Sequence, residues 1–73
     1  MYGVVLFHNS SSAMKAEATL KRAGFSIRLV PTPRELSSDC GVALRFLWED
    51  KEDVELLLTE ARVTTAGIFE GHE

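Results

Sequence analysis

The run from Tyr2 to His8 is dominated by Val, Leu and Phe with almost no polar interruption, and it predicts a buried strand. Asn9 and Ser10 to Ser12 follow, residue types that suit a helix N-cap. Between Ala13 and Ala23 the positions Ala13, Ala16, Leu20 and Ala23 recur at helical spacing, with Lys15, Lys21 and Arg22 on the other faces. Gly24 stands where the first residue past a helix is expected. Phe25, Ile27 and Leu29 then alternate with Ser26 and Arg28, which predicts a half-buried strand. Pro31 and Pro33 end it, because proline cannot donate to a ladder. Thr32 to Asp39 reads as a polar loop with one helical turn at Arg34–Ser37. Val42, Leu44 and Phe46 alternate with Ala43 and Arg45, giving a third strand.

Asp50 is placed to cap a second helix, with Glu52 and Asp53 at the positive end of its dipole. Val54, Leu57, Leu58 and Ala61 follow the i, i+3, i+4, i+7 template. Thr64 to Glu70 predicts a last strand, with Ala66 and Ile68 as its apolar side, and Gly71 to Glu73 a frayed tail. The order β-α-β-β-α-β points to an α+β fold of the ferredoxin-like type. That is a four-stranded antiparallel sheet in the order 4-1-3-2, with two helices on one face. The expected core gathers Leu20, Val42, Leu44, Phe46, Val54, Leu57 and Leu58.

A chain of 73 residues allows one domain, residues 1–73, and too little mass for a deep cleft of its own. An apolar fraction of 45% and a charged fraction of 26% are those of an ordinary globular domain. The net charge of −3 and the scattered basic residues argue against a nucleic-acid partner. The apolar run Val4–Phe7 is too short for a signal peptide or a membrane span, so no membrane partner is expected and the cytoplasm is the expected compartment. The single cysteine excludes an internal disulfide, a structural zinc site and a Cys-x-x-Cys metal carrier. No cofactor motif is present: the phosphate-cradling glycine loop and the His-x-x-x-His pair are both missing.

The topology concentrates chemistry at one edge. The first strand ends at His8, the second near Pro31, and the third starts at Gly41 beside the first. Cys40, His8, the Ser10–Ser12 turn and the Thr32–Cys40 loop therefore fall on the same edge. Cys40 is the candidate nucleophile, because a thiolate is favoured by a helix N-terminus, an arginine or a protonated histidine, here Ser10–Ser12, Arg34 and His8. Asp39 opposes this. Ser10, Ser11, Ser12, Ser37, Ser38 and Gly41 are candidate binding residues, with Gly41 leaving the backbone open to an incoming group. Each has a plainer reading beside it. Cys40 could be a buried apolar filler, His8 a strand terminator, Arg34 a loop tie, and Ser10–Ser12 a helix cap. Trp48 is either core edge or a dimer contact.

The segment Pro31-Thr-Pro-Arg-Glu-Leu-Ser-Ser-Asp-Cys40-Gly41 resembles the Pro-x-Pro-Arg…Ser-Ser-x-Cys-Gly segment of a small bacterial family of selenium/sulfur carrier-like proteins. Phe7-His8 and the following helix with Ala13, Lys15, Glu17 and Leu20 are similar too, so the likeness spans nearly the whole chain. The resemblance implies a carrier or accessory protein that holds a persulfide or selenosulfide on Cys40 and meets donor and acceptor proteins. A homodimer is a further possibility. The chain lacks the Cys-Pro-x-Pro box of the better-known sulfur-relay carriers. Two other readings stay open. One is a ligand-sensing or protein-binding module in which Cys40 is structural. The other is a small enzyme with Cys40 as nucleophile and His8 as base.

Overall fold

Strand β1 (Tyr2–Leu6) forms the run of aliphatic residues at the start of the chain. In the computed structural model, which describes residues 1–36 and 40–71, it is followed by helix α1 (Ser10–Arg22) and strands β2 (Ile27–Pro31) and β3 (Val42–Leu47). A single 3₁₀ turn (Trp48–Asp50) leads into helix α2 (Lys51–Glu60), and strand β4 (Gly67–Glu70) closes the sheet. The sheet is antiparallel throughout, in the order β2-β3-β1-β4. This is an α+β fold with the strand order that the element sequence predicts.

Register explains which residues are buried. Val5↔Leu44, Gly3↔Phe46, Leu29↔Leu44 and Val5↔Ile68 are direct partners, so these side chains share a face. On that face Val5, Phe7, Leu44 and Phe46 form one core with Ala13, Ala16 and Leu20 of α1 and Val54 and Leu58 of α2. Both helices therefore cover the same side of the sheet. Of the expected core, Val42 and Leu57 are only partly buried against this cluster. The alternate positions Val4, Leu6 and Ala43 face the other way and form a second, smaller cluster flanked by Val30 and Leu36. Apolar on both faces, β1 reads as an unbroken run because it is central, with Val5 under the helices and Val4 and Leu6 gathered with Ala43, Val30 and Leu36 on the other side.

The helix ends correct the sequence reading in detail. Asn9 is the N-cap of α1 and its side chain accepts from the Ser12 amide at 2.9 Å, so Ser10–Ser12 are the first helical turn rather than the cap. Ala23, expected on the buried face, is the exposed C-cap. Gly24 follows at φ +90° and donates to the Lys21 carbonyl, while Phe25 donates to the Leu20 carbonyl. These are the paired bonds of a Schellman motif. The chain from Phe25 is thus spent on ending the helix, and β2 starts two residues later than the alternation of Phe25, Ile27 and Leu29 suggests. Asp50 occupies the N-cap position of α2 without a side-chain capping bond. Helix α2 ends in a second Schellman motif, with Arg62 at φ +59° donating to Thr59 and Val63 donating to Leu58. The last strand begins at Gly67, not Thr64, and Ala66 is exposed, its amide held by the Leu6 carbonyl at 2.7 Å. Gly71 is tied by its amide to the Tyr2 carbonyl at 2.8 Å, so the ordered chain reaches further than a tail frayed from 71. His72 and Glu73 lie outside the described residues.

Candidate functional site

The register Leu6↔Ala43 sets the end of β1 beside the start of β3. Phe7 and His8 leave the sheet where Gly41 and Cys40 enter it, and α1 begins at the same edge. The expected meeting of the His8–Ser12 turn with the loop before β3 is therefore a property of the strand order.

Thr32 organises that loop. Its amide donates to the Gly41 carbonyl at 3.1 Å and its hydroxyl to the Cys40 carbonyl at 2.8 Å. These bonds extend the β2–β3 pairing past Pro31↔Val42 and close residues 33–39 into an excursion with fixed ends. Within it the Leu36 amide donates to the Pro33 carbonyl at 3.0 Å, so a turn over Pro33–Leu36 stands near the helical turn expected at Arg34–Ser37. Leu36 packs on the face that bears Val4, Leu6 and Ala43.

Cys40 goes the other way. The residue is 5% exposed and belongs to the core with Phe7, Ala13, Leu44 and Val63. The loop thus straddles the sheet, touching one face through Leu36 and the other through Cys40. The expectation of a cysteine set among polar neighbours on an open loop is corrected here. The sequence holds the signal that would have found this burial. Counting back by two from Phe46, Leu44 and Val42 reaches Cys40, so the alternation of β3 extends one step beyond the strand.

The other candidates are placed as follows. His8 is exposed at the end of β1, and Arg34 is exposed in the Pro33–Leu36 turn. Ser10 and Ser11 are exposed in the first turn of α1; Ser12 is half-buried, with its amide already given to Asn9. Gly41 is exposed, and a Cβ built on it meets nothing within 4 Å, so the space beside it is open. Ser37, Ser38 and Asp39 lie outside the described residues. Thr32, which no sequence argument singled out, is the residue that fixes the backbone at Cys40.

Two hollows of about 510 and 430 Å³ lie elsewhere, on either side of Tyr2 and Arg45, and neither Cys40 nor His8 lines them. Among the described residues no helix is long and apolar enough to cross a membrane.

Comparison with protein-family models matches residues 2–70 to the family described as Putative Se/S carrier protein-like. No curated protein and no solved structure matches the chain.

Proposed function

The chain belongs to the Se/S carrier protein-like family, and on that premise we propose that it carries sulfur or selenium on Cys40, as a persulfide or selenosulfide, between a donor and an acceptor protein. The observation that carries this reading is the single cysteine of a chain matched by the family over residues 2–70. A cargo bonded through sulfur has one place to sit.

The transfer needs no cofactor. Cys40 gives up its proton, and the thiolate attacks the outer sulfur of a persulfide on the donor. The Sγ–S bond forms as the donor's S–S bond breaks, and the electron pair leaves on the donor's thiolate. The outer sulfur moves at constant oxidation level, so no external oxidant enters. A donor bearing selenium in that position yields Cys40–S–SeH by the same exchange. Delivery repeats the step, with the acceptor thiolate attacking and Cys40 leaving. In this reading His8 and Arg34 stand at the same edge and meet the incoming partner. Ser10, Ser11, Ser12, Ser37, Ser38 and Gly41 meet the partner, and the cytoplasm is the working compartment. The burial of Cys40 supports a sheltered cargo, kept from stray thiols until a partner exposes it.

The test is intact mass spectrometry after exposure to glutathione persulfide or its selenium counterpart. A gain of about 32 or about 79 mass units, reversed by dithiothreitol and absent from Cys40→Ala, is expected for a thiol that caps reversibly. No gain in the wild type, or the same gain in Cys40→Ala, overturns the proposal.

One observation favours a second reading. A cysteine 5% exposed inside a core cluster suits a protein-binding module in which the thiol is packing alone. The rate of thiol labelling in the native protein separates the two. Labelling through local opening, faster than global unfolding, supports the carrier; labelling only at the unfolding rate supports the packing role.

A further inference from the structure

The helix layer presents two outward faces of opposite charge. In α1, Ala13, Ala16 and Leu20 are buried. The side turned to solvent carries Ser11, Met14, Lys15, Ala18 and Arg22, all exposed. In α2, Val54 and Leu58 are buried. Its solvent side carries Glu52, Asp53, Leu56, Thr59 and Glu60, again all exposed. Lys21 pairs with Glu17 at 3.5 Å and Lys51 with Glu55 at 3.0 Å, each within its own helix. Among the described residues, Lys15, Arg22, Glu52, Asp53 and Glu60 make no ion pair.

Each face also leaves one large apolar side chain in water: Met14 is 64% exposed and Leu56 57%. A single exposed apolar residue is ordinary on a surface. Here each stands among charges of one sign, and the two signs are opposite. The topology fixes how the faces run. Arg22 ends α1 and Lys51 begins α2, and the register Ile27↔Phe46 puts those ends at the same edge of the sheet. The helices are therefore antiparallel, and Arg22 lies at the end of the layer that bears Glu52 and Asp53.

We propose that a second copy of this chain covers the helix layer, with α1 of each copy lying on α2 of the other. A two-fold axis parallel to the helices makes this contact twice and preserves height along the layer. Arg22 then meets the partner's Glu52 and Asp53, Lys15 lies toward the partner's Glu60, and the small Ala18 receives the partner's Leu56. An axis across the helices would instead set α1 on α1 and α2 on α2, like charge against like. Charge therefore selects one arrangement, and two-fold closure leaves neither face open. The faces are small and charged, so the association is weak and sensitive to salt. The contact is independent of the carrier reading, since it uses neither Cys40 nor His8. Its axis brings the Cys40 edges of both copies to one end of the dimer.

The test is sedimentation equilibrium of the full chain, with Cys40→Ala run beside the wild type so that no disulfide can link the copies. Both should show a reversible monomer–dimer equilibrium. Raising the salt from about 0.1 M to about 1 M shortens the screening length from about 10 Å to about 3 Å. The dissociation constant should then rise about tenfold, as the exposed ion pairs are lost. Leu56→Gln changes an exposed position and should keep the fold, which circular dichroism verifies, while weakening the dimer roughly tenfold or more. Arg22→Glu should also weaken it. Arg22→Glu combined with Glu52→Arg should restore it, a rescue that an effect on the single helix cannot give. A wild-type monomer at every concentration would overturn the proposal. So would a dimer that disappears in Cys40→Ala, a dimer indifferent to salt, to Leu56→Gln or to Arg22→Glu, or a double variant no tighter than Arg22→Glu.

Discussion

The Thr32 hydroxyl holds the Cys40 carbonyl at 2.8 Å, across a loop whose seven intervening residues leave and rejoin the sheet at that point. A neutral hydrogen bond of this kind contributes about 0.5–1.5 kcal/mol. Thr32→Val keeps the branched shape and removes the donor, so the unfolding free energy should fall by that amount and the denaturation midpoint with it. The same loss should ease local opening at Cys40 and raise native-state thiol labelling several-fold. If the midpoint falls and labelling does not change, Thr32 supports the fold without governing access to the thiol.

Burial reverses the expectation that serine is the mild replacement for Cys40. A hydroxyl moved from water into this apolar cluster gives up its hydration, which costs about 1–3 kcal/mol unless a neighbour bonds it. Alanine removes the sulfur and leaves a small void. In urea unfolding, Cys40→Ser should therefore be less stable than Cys40→Ala, and the alanine variant is the sound control for cargo loading. Equal stability of the two would mean that the serine hydroxyl finds a partner or water.

Gly3 is a steric requirement. A Cβ there would lie 2.5 Å from the Trp48 ring and 2.6 Å from the Phe46 ring. The two rings, with centroids 5.9 Å apart, close the core by lying over β1. Gly3→Ala must push one of them away, at about 1–3 kcal/mol as for other overpacked sites. Tryptophan fluorescence should report the displacement of Trp48. An unchanged spectrum with full stability would refute this packing account.

The two Schellman motifs make opposite predictions from the same geometry. Gly24, at φ +90° with nothing within 4 Å of its Cβ position, is needed for its backbone alone. Gly24→Ala should cost about 1 kcal/mol. Arg62 holds the equivalent position at φ +59° with a side chain that disfavours it, so Arg62→Gly should stabilise the protein by roughly 0.5–1 kcal/mol. Thermal unfolding of the two variants checks both signs at once.

Much of this architecture could be read in advance. Six periodic segments joined by short connections leave few topologies, and the prediction that β1 and β3 are neighbours follows from that economy. The residues Leu20, Leu44, Phe46, Val54 and Leu58 declare themselves by spacing because helices and strands expose one face each. The errors lie where a residue serves a neighbour rather than its own pattern. Phe25 continues an alternation in sequence but ends α1 in space. Ser37, Ser38, Asp39 and Gly41 make Cys40 look exposed, yet the direction of its side chain is set by the pleat of β3 and by Thr32. No local pattern announces a threonine whose partner is eight residues away, nor the pairing of Arg28 with Arg45, which exists only once two strands are in register.

Finally, β1 is synthesised first and completed last. Its central place means that Leu6 waits for Ala43, and Gly3 for Glu70, 67 positions further along the chain. At roughly 5–20 residues per second of translation, this strand spends seconds outside the ribosome with two apolar faces and no ladder on either side. Pairing over such separations also slows refolding, since the loop must close before any contact rewards it. Unpaired β1 is therefore exposed to misassociation during synthesis, and a co-expressed chaperone or a lower growth temperature should raise the yield of folded protein.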